Sequence, residues 1–174
     1  MALPLNEVPN YTCKLPSTGQ TITYRPFLVK EQKVMLMAME SENDKEIGQA
    51  VTDTMQSCIV SDIDIAKLPI YDFEYLYLKV RAKSVGETVK LRIKCPDDEK
   101  EIVEKEVNID KIEVDIPKNH TNKIEFEPGY GVVMKYPTIN TFQNVPESTT
   151  ALSFKLVQDS IQTIYKGDDV YDRN

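Results

Sequence analysis

The hydrophobic periodicity of the chain changes at Gly86, and this change constrains the fold more than any other feature of the sequence. Before it, the stretch from Pro69 to Gly86 carries apolar residues at positions i, i+3, i+4 and i+7, which is typical of a helix. Asp72 is a candidate N-cap for this helix and Gly86 a candidate stop. After it, the stretch from Val89 to Cys95 alternates between apolar and polar residues, as a half-buried strand does.

This pattern predicts an α+β fold, with a small helical core packed on an antiparallel β-meander from which a hairpin protrudes. We divide the chain, as a single domain overall, into four segments. They are an extended N-terminal arm at 1–16, a mainly helical core at 17–86, an antiparallel β-hairpin and meander at 87–136, and a linker, C-terminal helix and acidic tail at 137–174.

Two further helices are predicted in the core. The first runs from Lys30 to Glu40, and the apolar run from Val34 to Met39 leaves its second half without a polar face. We therefore expect it at the centre of the core. Its methionines favour core filling, with an adaptable binding groove as the alternative. The second helix is opened by Asn43 and Glu46, which have the spacing of a capping box.

The predicted hairpin has a register that places its apolar residues on one face. This register makes three apolar pairs: Val89 with Ile109, Leu91 with Val107, and Cys95 with Val103. It makes two opposite-charge pairs on the other face: Lys94 with Glu104 and Arg92 with Glu106. Short strands follow at 112–116, 124–126 and 132–134, and a last helix is expected from Ser148 or Thr149 through Ile164, with Gly167 as its stop.

The bulk properties exclude several classes of function. The chain has 174 residues and a net charge of −7, with no basic run, which argues against binding nucleic acid through its phosphates. Its longest apolar stretch is far too short for a membrane span. Its three cysteines are far apart and follow no secretory signal, so we interpret them as free thiols.

Little in the sequence indicates catalysis. His120 is the only histidine, so a nucleophile–base pair would have to be built on that one imidazole. Cys95 lies at the hairpin tip, where half of a zinc knuckle would lie, but Asp97 and Asp98 stand where a second thiolate is expected. Because tetrahedral zinc needs about four ligands, we predict no bound metal, no cofactor and no enzyme activity.

Several stretches of the sequence resemble those of one family from T-even-like tailed phages. They are LPSTG (15–19), YRPFLVKE (24–31), YDFEYL (71–76), RAKSVGE (81–87), HTNKI (120–124) and GVVMKYP (131–137). The family is that of the baseplate hub subunit, also described as the baseplate hub assembly protein. The resemblance covers nearly the whole chain, and its motifs are structural rather than catalytic. Members often carry more cysteines at the hairpin tip and continue past the last helix, so the resemblance also implies a C-terminal piece beyond Asn174.

The resemblance implies a non-enzymatic structural component of a contractile-tail baseplate hub, located in the virion and assembled in the host cytoplasm. Its partners would be other hub and tail proteins, with the tape-measure protein among the candidates, and a symmetric oligomer in the assembly is compatible with this role. The alternative is an assembly chaperone for hub or tape-measure proteins that is not retained in the virion.

Two apolar segments without helix or strand periodicity are candidate partner-binding sites. The first is the proline-rich arm, and the second runs from Tyr136 to Pro146. Apolar side chains on irregular chain are a common feature of segments that order on a partner. The alternative is that both segments fold back on their own domain. The candidate residues are Leu3, Leu5, Val8, Tyr11, Tyr136, Ile139, Phe142 and Val145.

Overall fold

The structure is a computed structural model, and it describes residues 8–94, 102–143 and 149–172, with only the backbone described at 142, 143 and 149. These ranges form five α-helices and antiparallel sheets, so the predicted α+β class is confirmed. The chain divides into two compact units. Unit 1 comprises Met1–Ile65 and Tyr71–Val114, and unit 2 comprises Ala66–Ile70 and Asp115–Asn174. The division into four segments stays a prediction.

Unit 1 contains two β-hairpins and three helices. The first residue of the third helix, Ile70, is assigned to unit 2 and the rest of that helix to unit 1. The elements are β1 (Tyr11–Lys14), β2 (Thr21–Tyr24), α1 (Val29–Glu40), α2 (Asp44–Cys58), α3 (Ile70–Val85), β3 (Thr88–Lys94) and β4 (Ile102–Asn108). Its core is formed by apolar side chains from the first hairpin, α2 and α3. The most buried of these are Leu15, Ile22, Tyr24, Met55, Cys58, Ile65, Leu76 and Val80.

The predicted helix at 69–86 is confirmed as α3, but Asp72 does not cap it. Asp72 lies inside the first turn and is fully buried. Its carboxylate accepts a hydrogen bond from the backbone N–H of Ser17 at 3.0 Å and another from the Ser17 hydroxyl. Because α3 begins at Ile70, earlier than the cap prediction requires, this carboxylate instead fixes the β1–β2 turn against the helix.

The prediction for the start of α2 is confirmed for the Asn43 cap but not for the full capping box, because the Asn43 backbone N–H donates to the Ser41 hydroxyl at 3.3 Å rather than to Glu46. The Asn43 side-chain oxygen accepts from the backbone N–H groups of Lys45 at 3.1 Å and Glu46 at 3.4 Å, which satisfies two donors that the helix itself leaves free. The Asn43 amide also donates to the Glu46 carboxylate at 3.2 Å.

The first predicted helix exists as α1, but its expected place in the core is wrong. In this helix Glu31 is buried, Met35 and Ala38 are half-buried, and every other residue is exposed. Their spacing of i, i+4 and i+7 makes one narrow stripe, through which α1 packs on α2. The remaining apolar residues of α1 are exposed, and α2 is the helix against which α1 packs.

The predicted register of the β3–β4 hairpin is wrong by two residues. The apolar face instead pairs Val89 with Val107, Leu91 with Lys105, and Ile93 with Val103. The charged face pairs Lys90 with Glu106 and Arg92 with Glu104. Ile109 cannot pair with Val89, because it begins a one-turn 3-10 helix capped by the Asn108 side chain, and its N–H donates to the Glu87 carbonyl at 2.8 Å. Cys95, the third predicted partner, lies outside the described residues.

Unit 2 is built on a four-stranded antiparallel sheet with the strand order β5-β6-β7-β8. Its elements are β5 (Lys123–Glu127), β6 (Tyr130–Met134), α4 (Ile139–Gln143), α5 (Thr149–Ser160), β7 (Ile161–Lys166) and β8 (Asp169–Asp172). The predicted strands at 124–126 and 132–134 are confirmed, whereas the one at 112–116 is wrong, because that segment has no strand partner among the described residues.

The predicted last helix ends earlier than expected. α5 stops at Ser160, and Ile161 and Ile164 lie in β7 instead. The predicted acidic tail forms β8, joined to β7 by a turn in which Gly167 has a φ of +59°. The β-branched and aromatic composition of IQTIYK favours a strand over a helix, and Ile164 pairs with Val132 on one side.

Close packing in this sheet depends on Gly131. A Cβ at that position would collide with the Ile124 carbonyl oxygen and with the Tyr165 ring, which lies over the glycine. Gly131 pairs with Glu125 on β5 and with Tyr165 on β7, so it occupies the inside of the sheet. The glycine therefore leaves room for the aromatic ring that covers it.

Candidate protein-interaction surfaces

The outer side of α1 presents large apolar side chains to solvent. We name five of its residues the α1 surface, with their exposed fractions: Val29 (83%), Val34 (53%), Leu36 (53%), Met37 (59%) and Met39 (60%). Val34 lies three residues before Met37, and Leu36 three before Met39, so each pair is adjacent on the helix. Single exposed apolar residues are normal on a protein surface, but a concentration of this size is typical of a binding site.

The base of α1 is held by an ion pair between Arg25 and Glu31. The guanidinium donates through Nη2 to Glu31 Oε1 at 2.7 Å and through Nη1 to Oε2 at 3.0 Å, which is the paired geometry that suits arginine. The same carboxylate accepts from the Leu28 N–H at 2.6 Å and from the Ser57 hydroxyl at 3.2 Å. It therefore ties the start of α1 to the end of α2.

These contacts stabilise the charged form of Glu31. Hydrogen bonds from Arg25 lower the pKa of this carboxyl from 4.5 to about 2, with further lowering from the Leu28 N–H, although burial opposes the change. A charged carboxylate in the first turn also suits the positive end of the helix dipole. α1 is thus fixed at its N-terminal end while its apolar surface stays open to solvent.

Unit 1 also contains an open polar cavity of about 550 Å³ between β1 and α3. Two lysines enter it, and both are paired with Asp110: Lys83 Nζ lies 3.1 Å from Oδ2 and Lys79 Nζ 3.9 Å from Oδ1. The Lys83 ammonium also lies 5.6 Å from the centre of the Tyr11 ring. Lys83 is also paired with Glu87 at 2.5 Å, so two carboxylates compensate the two positive charges within unit 1 itself.

Cys13 lines the same cavity but is a poor nucleophile. Burial raises the pKa of its thiol to about 11, so the reactive thiolate is scarce at neutral pH. Burial likewise raises the pKa of Tyr24, another lining residue, to about 12. The cavity offers a neutral thiol, neutral phenols and compensated lysines, which is a stabilising arrangement rather than a reactive one.

A smaller apolar surface lies on α5 in unit 2. Phe154 is 74% exposed and Val157 is 58% exposed. They are three residues apart and, with Thr150 and Ser153, line a shallow depression of about 340 Å³. Like the α1 surface, it is an apolar helical stripe open to solvent.

The structure describes only part of the predicted partner-binding set. In the arm, Val8 is half-buried and Tyr11 lies in β1, where its ring centre is 5.9 Å from that of Tyr24. Leu3 and Leu5 lie outside the described residues. The partner-binding role of the arm stays a prediction.

The second predicted segment is more structured than its sequence indicated. Tyr136 is 41% exposed, and its hydroxyl is hydrogen-bonded to His120 Nε2. Ile139 is 8% exposed and begins α4, which also contains the backbone of Phe142. Val145 lies outside the described residues. The α1 surface was absent from the predicted set, because the run from Val34 to Met39 was expected in the core.

The described ranges hold neither a metal cluster nor a membrane span. No group of three or more His, Cys, Asp or Glu side chains in these ranges is arranged to hold a metal ion. No helix of the same part of the chain combines the length and apolar character needed to cross a membrane.

The exposed groups of both units are of the kind that bind other proteins. The chain belongs to the family described as T4 bacteriophage base plate protein, whose model matches residues 8–174. No curated protein and no solved structure matches the chain. The protein is therefore a phage baseplate component, with other phage tail proteins as partners and the virion tail baseplate as its location. The predicted baseplate family is confirmed, and the hub assignment stays a prediction.

Proposed function

We propose that the protein is a non-enzymatic structural subunit of the baseplate hub of a contractile tail. It is assembled in the host cytoplasm, retained in the virion, and attached to a neighbouring tail protein through the α1 surface. The observation that carries this proposal is the exposure of five large apolar side chains on a helix whose base is fixed by an ion pair. A surface that is rigid before binding loses less conformational entropy on docking.

The α1 surface has the size and chemistry of an interface centre. Fully burying a side chain such as Leu or Met contributes about 1.5–3 kcal/mol, and those of Leu36, Met37 and Met39 are more than half exposed. Covering them contributes about 1 kcal/mol each. Methionine side chains adapt to irregular partner surfaces, which supports the binding alternative for the methionines of α1.

The arm and the segment from Tyr136 to Pro146 are proposed as secondary contacts in the hub. Support comes from the exposure of Tyr136 and from the apolar residues Leu3, Leu5 and Val8 in the arm. Neither segment shares a residue with the α1 surface, so each contact can be mutated separately.

The test replaces the apolar residues of the α1 surface with serine in the triple variant L36S/M37S/M39S. Because these side chains are exposed, we expect a nearly unchanged melting temperature together with loss of the protein from purified baseplates. The matched control changes exposed polar residues of the same helix, in K30S/Q32S/K33S, and should assemble normally. Normal incorporation of the triple variant would refute the role of the α1 surface.

The same particles distinguish a retained hub subunit from an assembly chaperone. Quantitative mass spectrometry of purified wild-type virions should find peptides of this protein in a fixed ratio to those of the other baseplate proteins. Their absence from virions, with the protein present in assembly intermediates, would favour the chaperone function instead.

A further inference from the structure

The β3–β4 hairpin is a two-stranded sheet that no third strand extends within the described residues. Residues 90–94 of β3 and 102–106 of β4 are all exposed. The apolar face is uncovered too: Leu91 is 43%, Ile93 47% and Val103 51% exposed. An isolated two-stranded hairpin is marginally stable in water, and three or more strands are needed for independent stability.

The two free edges of this hairpin carry opposite charge. On the polar face, β3 presents Lys90, Arg92 and Lys94, whereas β4 presents Glu104 and Glu106. Within the hairpin, Arg92 Nε already lies 3.8 Å from Glu104 Oε1. Both side chains are about 70% exposed (70% and 72%), so each keeps a solvent-facing side on which a second opposite charge can be placed.

The backbone of the charged residues faces outward along the edges. The Ile109 N–H donates to the Glu87 carbonyl, so this pair is hydrogen-bonded. Because hydrogen-bonded and non-hydrogen-bonded pairs alternate in an antiparallel ladder, the odd-numbered residues of β3 bond to β4. The even-numbered residues, among them Lys90 and Arg92, therefore direct their N–H and C=O groups to the free edge.

We propose that this hairpin pairs with the hairpin of a second copy of the same chain, the β3 edge of one copy adding to the β4 edge of the next. Like edges repel, because β3 against β3 opposes cations and β4 against β4 opposes carboxylates. Unlike edges attract and continue the antiparallel order. In that arrangement each of Glu104 and Glu106 lies between basic residues of two hairpins. On the other face, Leu91, Ile93 and Val103 of the two copies come together, with Lys105 as the charged residue among them.

This contact is head-to-tail, so it forms a closed ring where the rotation between copies closes and an open chain of copies where it does not. Charged edge strands usually protect a sheet from adventitious pairing. Here β3 carries basic residues and β4 acidic ones, so of the three possible edge pairings (β3 with β3, β4 with β4, β3 with β4) only the last is attractive. The hairpin contact uses none of the residues of the α1 surface, so an experiment can refute either proposal without affecting the other.

The first test measures self-association by sedimentation velocity over a range of concentrations. The wild-type protein should form oligomers whose population falls as the salt concentration rises. The variant R92P removes an outward N–H and should be monomeric, whereas R92A keeps that N–H and should retain part of the association. Equal hydrogen-exchange protection of the Leu91 and Ile93 amides in the two variants would establish that the hairpin of R92P stays folded. A wild-type protein that remains monomeric at every concentration overturns the proposal.

The second test exchanges the charges of the two strands in K90E/R92E/E104K/E106K. This variant preserves the pairs within its hairpin and between its own copies, so it should self-associate as the wild type does. Mixed with differently labelled wild-type protein, it should form no contact between the β3 edge of one species and the β4 edge of the other, because that contact brings like charges together. The like edges of the two species now attract, so the readout is the contact itself rather than the presence of mixed oligomers. A cross-link between β3 of one species and β4 of the other, identified by mass spectrometry, would overturn the proposal.

Discussion

Replacing Glu31 with glutamine tests how the structure holds the base of α1. The substitution keeps the shape of the side chain and removes its charge. In E31Q the side-chain oxygen can still accept a hydrogen bond from the Leu28 N–H. The new NH₂ group points at an Arg25 N–H, which is also a donor, so the guanidinium loses its negatively charged partner. We therefore expect unit 1 to lose stability through one identifiable interaction.

The magnitude follows from the position of the carboxyl pKa. A pKa lowered from 4.5 to about 2 corresponds to about 3 kcal/mol in favour of the charged form. The side chain of Arg25 is 20% exposed and that of Glu31 is 11% exposed, so solvent screens part of the interaction. We expect a loss of about 2 kcal/mol in the free energy of unfolding, which lowers the melting temperature by about 4–8 °C.

The stability difference between wild type and E31Q should decrease as the pH falls. The pKa of Glu31 is lower in the folded protein than in the unfolded chain, so its contribution is fully present above pH 4.5 and is lost as the pH falls towards 2. Urea unfolding followed by far-ultraviolet circular dichroism should show wild type and E31Q differing at pH 7. The difference should narrow progressively below pH 4.5.

The control is E40Q, the same substitution at an exposed position at the other end of α1. It should change stability by less than about 0.5 kcal/mol. An E31Q variant as stable as the wild type at pH 7, or a difference that does not change with pH, would show that the ion pair is not what stabilises this corner.

Three further predictions concern the rest of the fold and the arm. G131A should lower the free energy of unfolding by about 2 kcal/mol, because its methyl group collides with the Ile124 backbone and the Tyr165 ring. G48A in α2, where the space is open, should raise the free energy of unfolding by about 1 kcal/mol. Thermal unfolding of both variants measures the two changes. D72A leaves the Ser17 N–H and hydroxyl without an acceptor at a buried site and should cost about 2 kcal/mol in urea unfolding, with a stable variant contradicting this. Deleting residues 1–8 should leave the melting temperature unchanged and abolish entry into hub complexes, and a markedly lower melting temperature with normal assembly would place the arm in its own core.

The sequence was sufficient to locate α1, α2, α3 and the β3–β4 hairpin. α3 follows from an apolar stripe bounded by Pro69 and Gly86, and α2 from Asn43 as its cap, because both signals are local. The C-terminal region was harder to predict. The apolar residues from Leu152 to Ile164 fit a helical spacing throughout, which obscured the strand composition of IQTIYK. Pairing with distant Val132 places Ile164 in a strand.

The register of the β3–β4 hairpin illustrates a limit of pattern reasoning. A displacement by two residues leaves every side chain on its original face, so apolar alternation cannot distinguish the two registers. The capping of a short helix by Asn108, which takes Ile109 out of the strand, is what decides between them. Asn108 followed by Asp110 is a turn signal that the sequence offered and that the apolar pattern of Ile109 obscured.

The misplacement of α1 has a different cause, and it bears on function. A helix without a polar face fits the centre of a protein core and the centre of an interface equally well, because both bury it from water. Sequence alone cannot separate these cases, since the covering groups belong to another molecule in one of them. The exposure of Leu36, Met37 and Met39 in the folded chain rules out the core position and supports the proposed interface. For a baseplate protein, which functions only within an assembly, the residues that resemble a core but lie on the surface are the first to test for contact with a neighbour.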